Sequence, residues 1–476
     1  MAAVFAVALV VFMLVNRGSR VHDTVSDADS PAALVGASTD TRIKSFQALV
    51  RAHPKDSRGY GFLADAYLQK VRETGDASYY TRAGAVLHTA LRLNPRDPAA
   101  LTGASTLALA RHDFRGGLDY AEQARMAAPY VVKPLGDIVD AQVELGRYAE
   151  ARRTLHLMVD AQPNLASYAR VSYWRELHGD LPGAIRAMKL AVSAGGQAAE
   201  NVAYVQTLLG NLYFTVGRLD DSREAYRTAL ARFPGYVPAS AGLAGVEAAH
   251  GRFSIAIRRY RDAVARLPLP QYVVALGETE LAAGRRAAAR RDLALVGAEE
   301  KLLQANGVNT DVDLALFEAS HGSPARAVVL ARRAWAQAPS VRSADALGWA
   351  LTRAGRPAEG LRFGHRALAL GSRDPMFLFH AGLSASAAGR AGEARAYLAR
   401  SVALNRRFSP LYAPRAERAL AEIAGGRLQV TGCGLGSCLS LSPSSPFSPL
   451  RPRRIHSATS ASTTWTGCGC RPIAWT

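Results

Sequence analysis

The sequence predicts an all-α protein, a right-handed α-solenoid of about ten stacked helix pairs. Three regularities support this prediction. Glycines recur every 33 to 38 residues, mostly small residues lie seven residues before and five residues after them, and prolines recur at a similar period. The recurring glycines are Gly146, Gly179, Gly217, Gly251, Gly284, Gly322, Gly355 and Gly389.

Each regularity has a physical reason. A glycine just past a periodic apolar run supplies the left-handed residue that ends a helix. Small residues such as Ala184 and Ser222, five positions after a glycine, let two helix backbones approach closely. Pro129 and Pro163 lie 34 residues apart and end the second helix of successive units. A unit this short cannot bury its own apolar face, so neighbouring units must stack.

The repeated unit resembles the tetratricopeptide repeat family over roughly residues 57–408. The motif residues that carry the resemblance are Leu209, Gly210 and Tyr213, then Ala229 and Pro234, and Ala256 and Tyr260. The resemblance implies that the first helix of each pair lines a concave groove. It also implies that the groove binds a protein or peptide partner.

The N-terminal part of the chain divides into three segments. Residues 1–15 include fourteen uncharged, almost wholly apolar residues that span roughly 21 Å as a helix, less than the roughly 30 Å of a bilayer core. They are either a membrane anchor or signal segment that lacks its upstream residues, or a buried terminal helix. We expect residues 16–40 to form a flexible tether and residues 41–56 a capping helix, with Ile43, Phe46, Leu49 and Val50 on its apolar face.

The C-terminal part changes composition abruptly. Residues 409–426 are predicted to add a closing helix. Residues 427–476 contain five Arg, no Asp, Glu or Lys, and all four cysteines of the chain. This composition indicates a disordered tail or translation in a shifted frame. The cysteines lack a flanking fold that would hold a metal ion.

The formal charge of +19 invites a nucleic-acid interpretation. Arginines follow the recurring glycines one by one instead of clustering, which is typical of cations placed near helix C-termini. No aromatic residues interleave with them as single-strand binding requires. The pattern therefore disfavours nucleic acid and leaves an anionic partner on the Arg-rich outer surface as an alternative.

No motif of a hydrolase, a nucleotide-binding loop or a metalloprotease occurs, and the eleven histidines are scattered. The sequence therefore predicts a non-catalytic protein with no cofactor and no metal site.

Spacing within the first helices places an acidic and aromatic set of side chains in the groove. We expect a basic-apolar peptide to bind there over roughly residues 132–236. The predicted partner-binding residues are Asp140, Glu144, Tyr173, Glu176, Tyr204, Asn211, Phe214 and Trp349.

Two functions fit this pattern. The first is a membrane-tethered interaction scaffold in a bacterial cell envelope, with its side of the membrane left open. The second is an accessory or regulatory module of an enzyme or transport complex.

Overall fold

A computed structural model of the protein describes residue 34, residues 37–196 and residues 198–425. All of them belong to one unit, residues 1–430. The described residues are mostly helical, and no strand occurs among them. The helices are α1 Thr39–Ala52, α2 Ser57–Thr74, α3 Ser78–Leu93, α4 Pro98–Ala110, α5 Phe114–Ala127, α6 Lys133–Glu144, α7 Tyr148–Ala161, α8 Leu165–Leu177, α9 Leu181–Ala194, α10 Ala199–Thr215, α11 Leu219–Arg232, α12 Val237–Ala249, α13 Phe253–Arg266, α14 Pro270–Ala282, α15 Arg286–Leu293, α16 Val296–Ala305, α17 Asp311–His321, α18 Pro324–Gln337, α19 Val341–Arg353, α20 Pro357–Ala367, α21 Pro375–Ala387, α22 Ala391–Leu404 and α23 Ala413–Ala424.

In this part of the chain the helices form ten antiparallel pairs, which confirms the predicted all-α solenoid. Pair 1 is α2 with α3, and the numbering continues so that pair 10 is α21 with α22. The second helix of pair 7 is divided into α15 and α16. Helix α1 packs before the first pair and α23 after the last.

Small residues bring the two helices of a pair into contact. Ser222 of α11 is fully buried and donates a hydrogen bond from Oγ to the carbonyl of Gly210 in α10, at 2.8 Å. In pair 4 the direction is reversed, because Ser172 of the first helix, α8, donates to the carbonyl of Ala184 in the second helix, α9. A side chain at Gly210 would overlap the ring of Tyr226. The predicted small positions are therefore the points where the backbones are closest.

The turn between the two helices of a pair is here called the hairpin turn. Seven of the eight predicted glycines adopt positive φ there; Gly322 does not, with φ −123°. Its turn is closed differently, because the Glu318 carboxylate accepts a hydrogen bond from the Ser323 backbone. The hairpin turn of pair 2 holds His112 at φ 60°, without a glycine.

Hairpin turns of the first five pairs contact loops much farther along the chain. Each loop that follows a second helix is called a linking loop. The hairpin turns of pairs 1 to 5 contact the linking loops after pairs 6 to 10, and these contacts are called the seam. The contacting positions are Gly75 with Leu267, His112 with Asn309, Gly146 with Pro339, Gly179 with Gly371, and Gly217 with Leu404 and Asn405.

Hydrogen bonds reinforce the seam. The Val341 backbone N–H donates to Tyr148 Oη at 2.8 Å, and Asn405 Nδ2 donates to the Phe214 carbonyl at 2.6 Å. Arg115 donates from Nη2 to the Ala336 carbonyl at 3.1 Å, at the end of α18 where helix carbonyls lack partners. The seam thus joins helix pairs whose sequence positions are about 190 residues apart.

Several predictions made for the chain ends lie outside the described residues. They concern residues 1–15, most of the tether over 16–40, and the tail 427–476. Among the described residues, no helix has both the length and the apolar composition that crossing a bilayer requires.

Gly179 and Gly389 form a matched pair for testing the seam. Both have nearly equal positive φ, 76° and 73°. A Cβ at Gly179 would lie less than 3.0 Å from the Gly371 carbonyl oxygen, whereas one at Gly389 would meet no described atom within 4 Å. Left-handed strain should cost about 1–2 kcal/mol in Gly179→Ala and in Gly389→Ala. Gly179→Ala should cost about 1–3 kcal/mol more because it also crowds the seam.

Urea unfolding followed by circular dichroism measures the difference between the two variants. Equal losses of stability would show that the seam does not contribute to folding.

Candidate functional site

The first helices of adjacent pairs lie side by side and form the inner face, the surface that lines the internal cavities. A cavity of about 1120 Å³ is lined by residues of α1, α2, α4 and the start of α10. A second, of about 1030 Å³, is lined by residues of α12, α14, α17, α19 and α21. Side chains on the first helices of pairs 3, 4 and 5 (α6, α8 and α10) include most of the predicted partner-binding residues.

Local sequence fixes how α8 presents its side chains. Asn164 caps the helix and exchanges hydrogen bonds with Ser167, which sets the start of the helix. From that start, Arg170, Tyr173 and Glu176 follow at intervals of three residues. This spacing places them along one face of the helix.

Arg170 pairs with Asp140 of the neighbouring helix α6. Arg170 Nη2 donates to Asp140 Oδ2 at 2.6 Å, and Nε donates to Oδ1 at 2.9 Å. Beside this ion pair, burial raises the pKa of Asp137 to about 6, against the opposing charge of Arg170. Thr106 donates a hydrogen bond to Asp137 Oδ2 at 3.0 Å. Arg170 therefore offsets part of the acidic charge that the sequence predicts for this face.

Tyr173 bridges from α8 to α6 on the same face. Its hydroxyl donates to Glu144 Oε1 at 3.4 Å, a long hydrogen bond. Burial raises the pKa of Glu144, while the charge of Arg342 acts in the opposite direction. Arg342 belongs to α19, so the inner face of pair 3 lies near that of pair 9.

Glu176 differs from its acidic neighbours because its carboxylate has no hydrogen-bond or ion-pair partner among the described residues. Burial and, to a smaller extent, the charge of the nearby Asp374 together raise its pKa to about 7. This carboxylate is therefore only partly charged near neutral pH. A cation placed beside it would favour the charged form.

The three predicted residues of α10 have different environments. Tyr204 is 49% exposed. Asn211 is also exposed, and its Oδ1 accepts a hydrogen bond from Tyr226 at 2.7 Å. Phe214 packs partly into the hydrophobic core beside Leu219. Tyr204 therefore offers the freest aromatic surface of these three residues.

Trp349 lies in the hydrophobic core, 5% exposed. Its ring stacks on His380 with centroids 4.6 Å apart, and its Nε1 donates to Ser320 Oγ at 3.0 Å. The spacing argument identified the correct helix but not the burial of this position. We leave Trp349 out of the proposed partner surface.

Two cationic residues of the inner face were not identified from the sequence, Arg170 and Arg342. Arg170 could have been found, because it lies three residues before Tyr173 on the same helical face. Arg342 reaches the vicinity of Glu144 only because the chain winds back on itself, and no local pattern indicates that approach.

A histidine, a carboxylate and a tyrosine meet at the closing end of the inner face. His321 Nε2 lies 2.8 Å from Glu278 Oε1, and the Tyr412 hydroxyl donates to the same oxygen at 2.8 Å. This cluster ties the segment before α23 to pairs 7 and 8. Among the described residues, no group of three or more His, Cys, Asp and Glu side chains is placed to hold a metal ion.

Glu176→Gln tests the electrostatics of the inner face. The folded protein holds the Glu176 proton up to pH about 7, whereas an unfolded glutamic acid releases it near pH 4.5. The wild type should therefore lose stability as pH rises through this window. Over the same pH range, the free energy of unfolding of Glu176→Gln should fall by up to about 3 kcal/mol less than that of the wild type.

Thermal unfolding at several pH values gives the comparison. Glu122→Gln removes a solvent-exposed carboxylate of α5 and serves as the control. If wild type and Glu176→Gln responded identically to pH, Glu176 would not titrate in this window.

The model of the tetratricopeptide repeat family matches residues 207–253, which include the second half of α10 and all of α11 and α12. Cellulose synthase 1 operon protein C of Komagataeibacter xylinus is 28% identical over 195 residues, 40% of this chain. The chain matches only 12% of the length of that relative.

Two solved structures also show similarity. A thermophilic TPR protein of Thermus thermophilus is 19% identical and covers 38% of this chain and 98% of its own, with a TM-score of 0.34. YrrB, described as a TPR protein with an unusual peptide-binding site, is 18% identical and covers 41% of this chain and 96% of its own, with a TM-score of 0.26. The family match identifies residues 207–253 as tetratricopeptide repeat sequence, and the same helix-pair architecture recurs along the described helices.

Proposed function

We propose that the protein is a non-catalytic interaction scaffold that holds a peptide segment with Lys or Arg side chains on its inner face. The binding surface is centred on Tyr173, Glu176 and Tyr204, within roughly residues 132–236. The observation that carries the proposal is the Glu176 carboxylate, which is partly buried and has no partner among the described residues. A bound ammonium or guanidinium group would supply that partner.

Aromatic and acidic groups contribute differently to such binding. Tyr204 is half exposed and offers a large ring at low cost in side-chain entropy, as interface hot spots do. Glu144 and Glu176 select the charge of the partner and speed association. Asp140 contributes less, because Arg170 already pairs with it.

The alternative, an anionic partner on the outer surface, receives less support. Five of the six arginines that follow the recurring glycines are paired with nearby carboxylates, which reduces their attraction for an external anion, and the sixth, Arg285, donates to Ser254 Oγ. The pairs are Arg147 with Glu150, Arg218 with Asp221, Arg252 with Glu247, Arg356 with Glu359, and Arg390 with Glu393.

The match to cellulose synthase 1 operon protein C supports an accessory role in a cell-envelope assembly. A hydrophobic segment at residues 1–15 agrees with membrane tethering. The similarity to that relative covers only 40% of this chain. The role in the cell envelope is therefore part of the proposal.

Tyr204→Ala tests the inner face directly. A fluorescent peptide that alternates Lys or Arg with apolar residues is titrated with the full chain, and fluorescence anisotropy reports binding. The variant should weaken binding by about 1–2 kcal/mol, since it removes a hot-spot ring. Tyr130→Ala is the matched control, because Tyr130 is 98% exposed and its side chain does not line either cavity.

Charge and pH provide a second readout of the same experiment. Affinity for the basic peptide should rise as pH increases through about 7, because Glu176 then becomes charged. A peptide with Glu in place of Lys and Arg should bind weakly at every pH. Equal affinity for both peptides, or equal losses in Tyr204→Ala and Tyr130→Ala, would refute the proposed function.

A further inference from the structure

The seam leaves two edges of the winding largely without a partner among the described residues. One contact occurs at the hairpin turn of pair 6, where His250 Nδ1 lies 3.4 Å from Arg407 Nη1 of the loop after pair 10. Hairpin turns of pairs 1 to 5 are covered by the linking loops after pairs 6 to 10. Hairpin turns of pairs 6 to 10 form the first edge, here called the hairpin edge. The linking loops after pairs 1 to 5 form the opposite one, here called the loop edge.

The hairpin edge repeats the backbone geometry of the covered turns. Gly355 and Gly389 have φ 78° and 73°, against 72° for Gly146 and 76° for Gly179 in the seam. A Cβ at Gly146 or Gly179 would lie less than 3.0 Å from a carbonyl oxygen of the facing loop. No described atom lies within 4 Å of a Cβ built at Gly355 or Gly389. The same turn is therefore covered in the seam and uncovered at this edge.

The loop edge exposes apolar surface. Tyr130 is 98% exposed and Val131 is 47% exposed, both in the linking loop after pair 2. In the seam, the corresponding loop after pair 7 is covered, and the Asn309 carbonyl accepts a hydrogen bond from His112 at 2.6 Å. Val131 also lines the rim of the cavity of about 1120 Å³. Two neighbouring exposed apolar side chains indicate a surface that binds protein.

We propose that a second copy of this chain stacks its loop edge on the hairpin edge of the first copy. Five linking loops would then face five hairpin turns, in the order that the seam already uses within one chain. The occupant is a second copy because both edges belong to this chain and because the new contact continues an interface that the chain makes with itself.

This contact joins two different surfaces, so it is heterologous and does not close on a dimer. Each added copy leaves one hairpin edge and one loop edge free. Association should therefore continue head to tail as the protein concentration rises.

Sedimentation velocity of the full chain at increasing concentration tests this growth. Gly355→Asn combined with Gly389→Asn places side chains on the hairpin edge, and Asn tolerates the left-handed conformation better than most residues. Tyr130→Lys places a charge on the loop edge opposite an Arg-rich surface. Each variant should raise the dissociation constant at least about tenfold.

Mixing the two variants gives the sharpest test. Tyr130→Lys keeps an unaltered hairpin edge, and the double glycine variant keeps an unaltered loop edge. An equal mixture of the two should therefore form dimers and nothing larger. Neither variant should form dimers alone. Val329→Lys, a change at a 64% exposed position near the middle of α18, should associate like the wild type.

Three outcomes would overturn the proposal: a wild-type chain that stays monomeric, variants that associate like the wild type, or a mixture that stays monomeric. Circular dichroism confirms that each variant remains folded. Tyr130→Lys alone keeps the test valid if the glycine variants unfold, because its side chain makes almost no contact within the chain.

Discussion

Each pair of helices in this protein reverses direction through a hairpin turn, and most of these turns hold one residue at positive φ. Glycine meets that requirement at little cost because it has no Cβ. The turn sets the antiparallel packing of the pair, and the packing directs the first helix toward the interior. Where Gly146 and Gly179 lie in the seam, the missing Cβ also lets a distant loop approach within contact distance. One stereochemical requirement thus determines both the helix pair and the contact between successive windings.

The period of the sequence predicted the helix pairs, because the left-handed turn and the small contact residues repeat with the unit. His112 was missed because its φ of 60° belongs to a residue that rarely adopts this conformation, and a glycine pattern cannot indicate it. Gly322 was included although Glu318 and Ser323 close that turn by a side-chain hydrogen bond. A pattern of residue types indicates the glycine that usually occupies such a turn. It does not indicate a turn that another residue or a side-chain hydrogen bond closes.

The inner face was predicted less completely than the fold. Helical spacing placed Tyr173 and Tyr204 on first helices, which the structure shows. It could not show that Arg170 pairs with Asp140, because that bond joins neighbouring helix pairs. Trp349 has the spacing of a groove residue but is buried by the next pair. Contacts between repeats, and not positions within one repeat, decide which side chains remain available to a partner.

The seam also restricts the route by which the proposed peptide partner could reach the inner face. The five contacts between successive windings recur about once per helix pair, so a polypeptide cannot slip sideways between the windings while they are closed. A segment destined for Glu176 therefore threads in from an end of the winding or waits for bonds such as Val341 to Tyr148 to open. While the seam stays closed, a chain with bulky folded domains on both sides of its binding segment is excluded by topology, whatever its affinity.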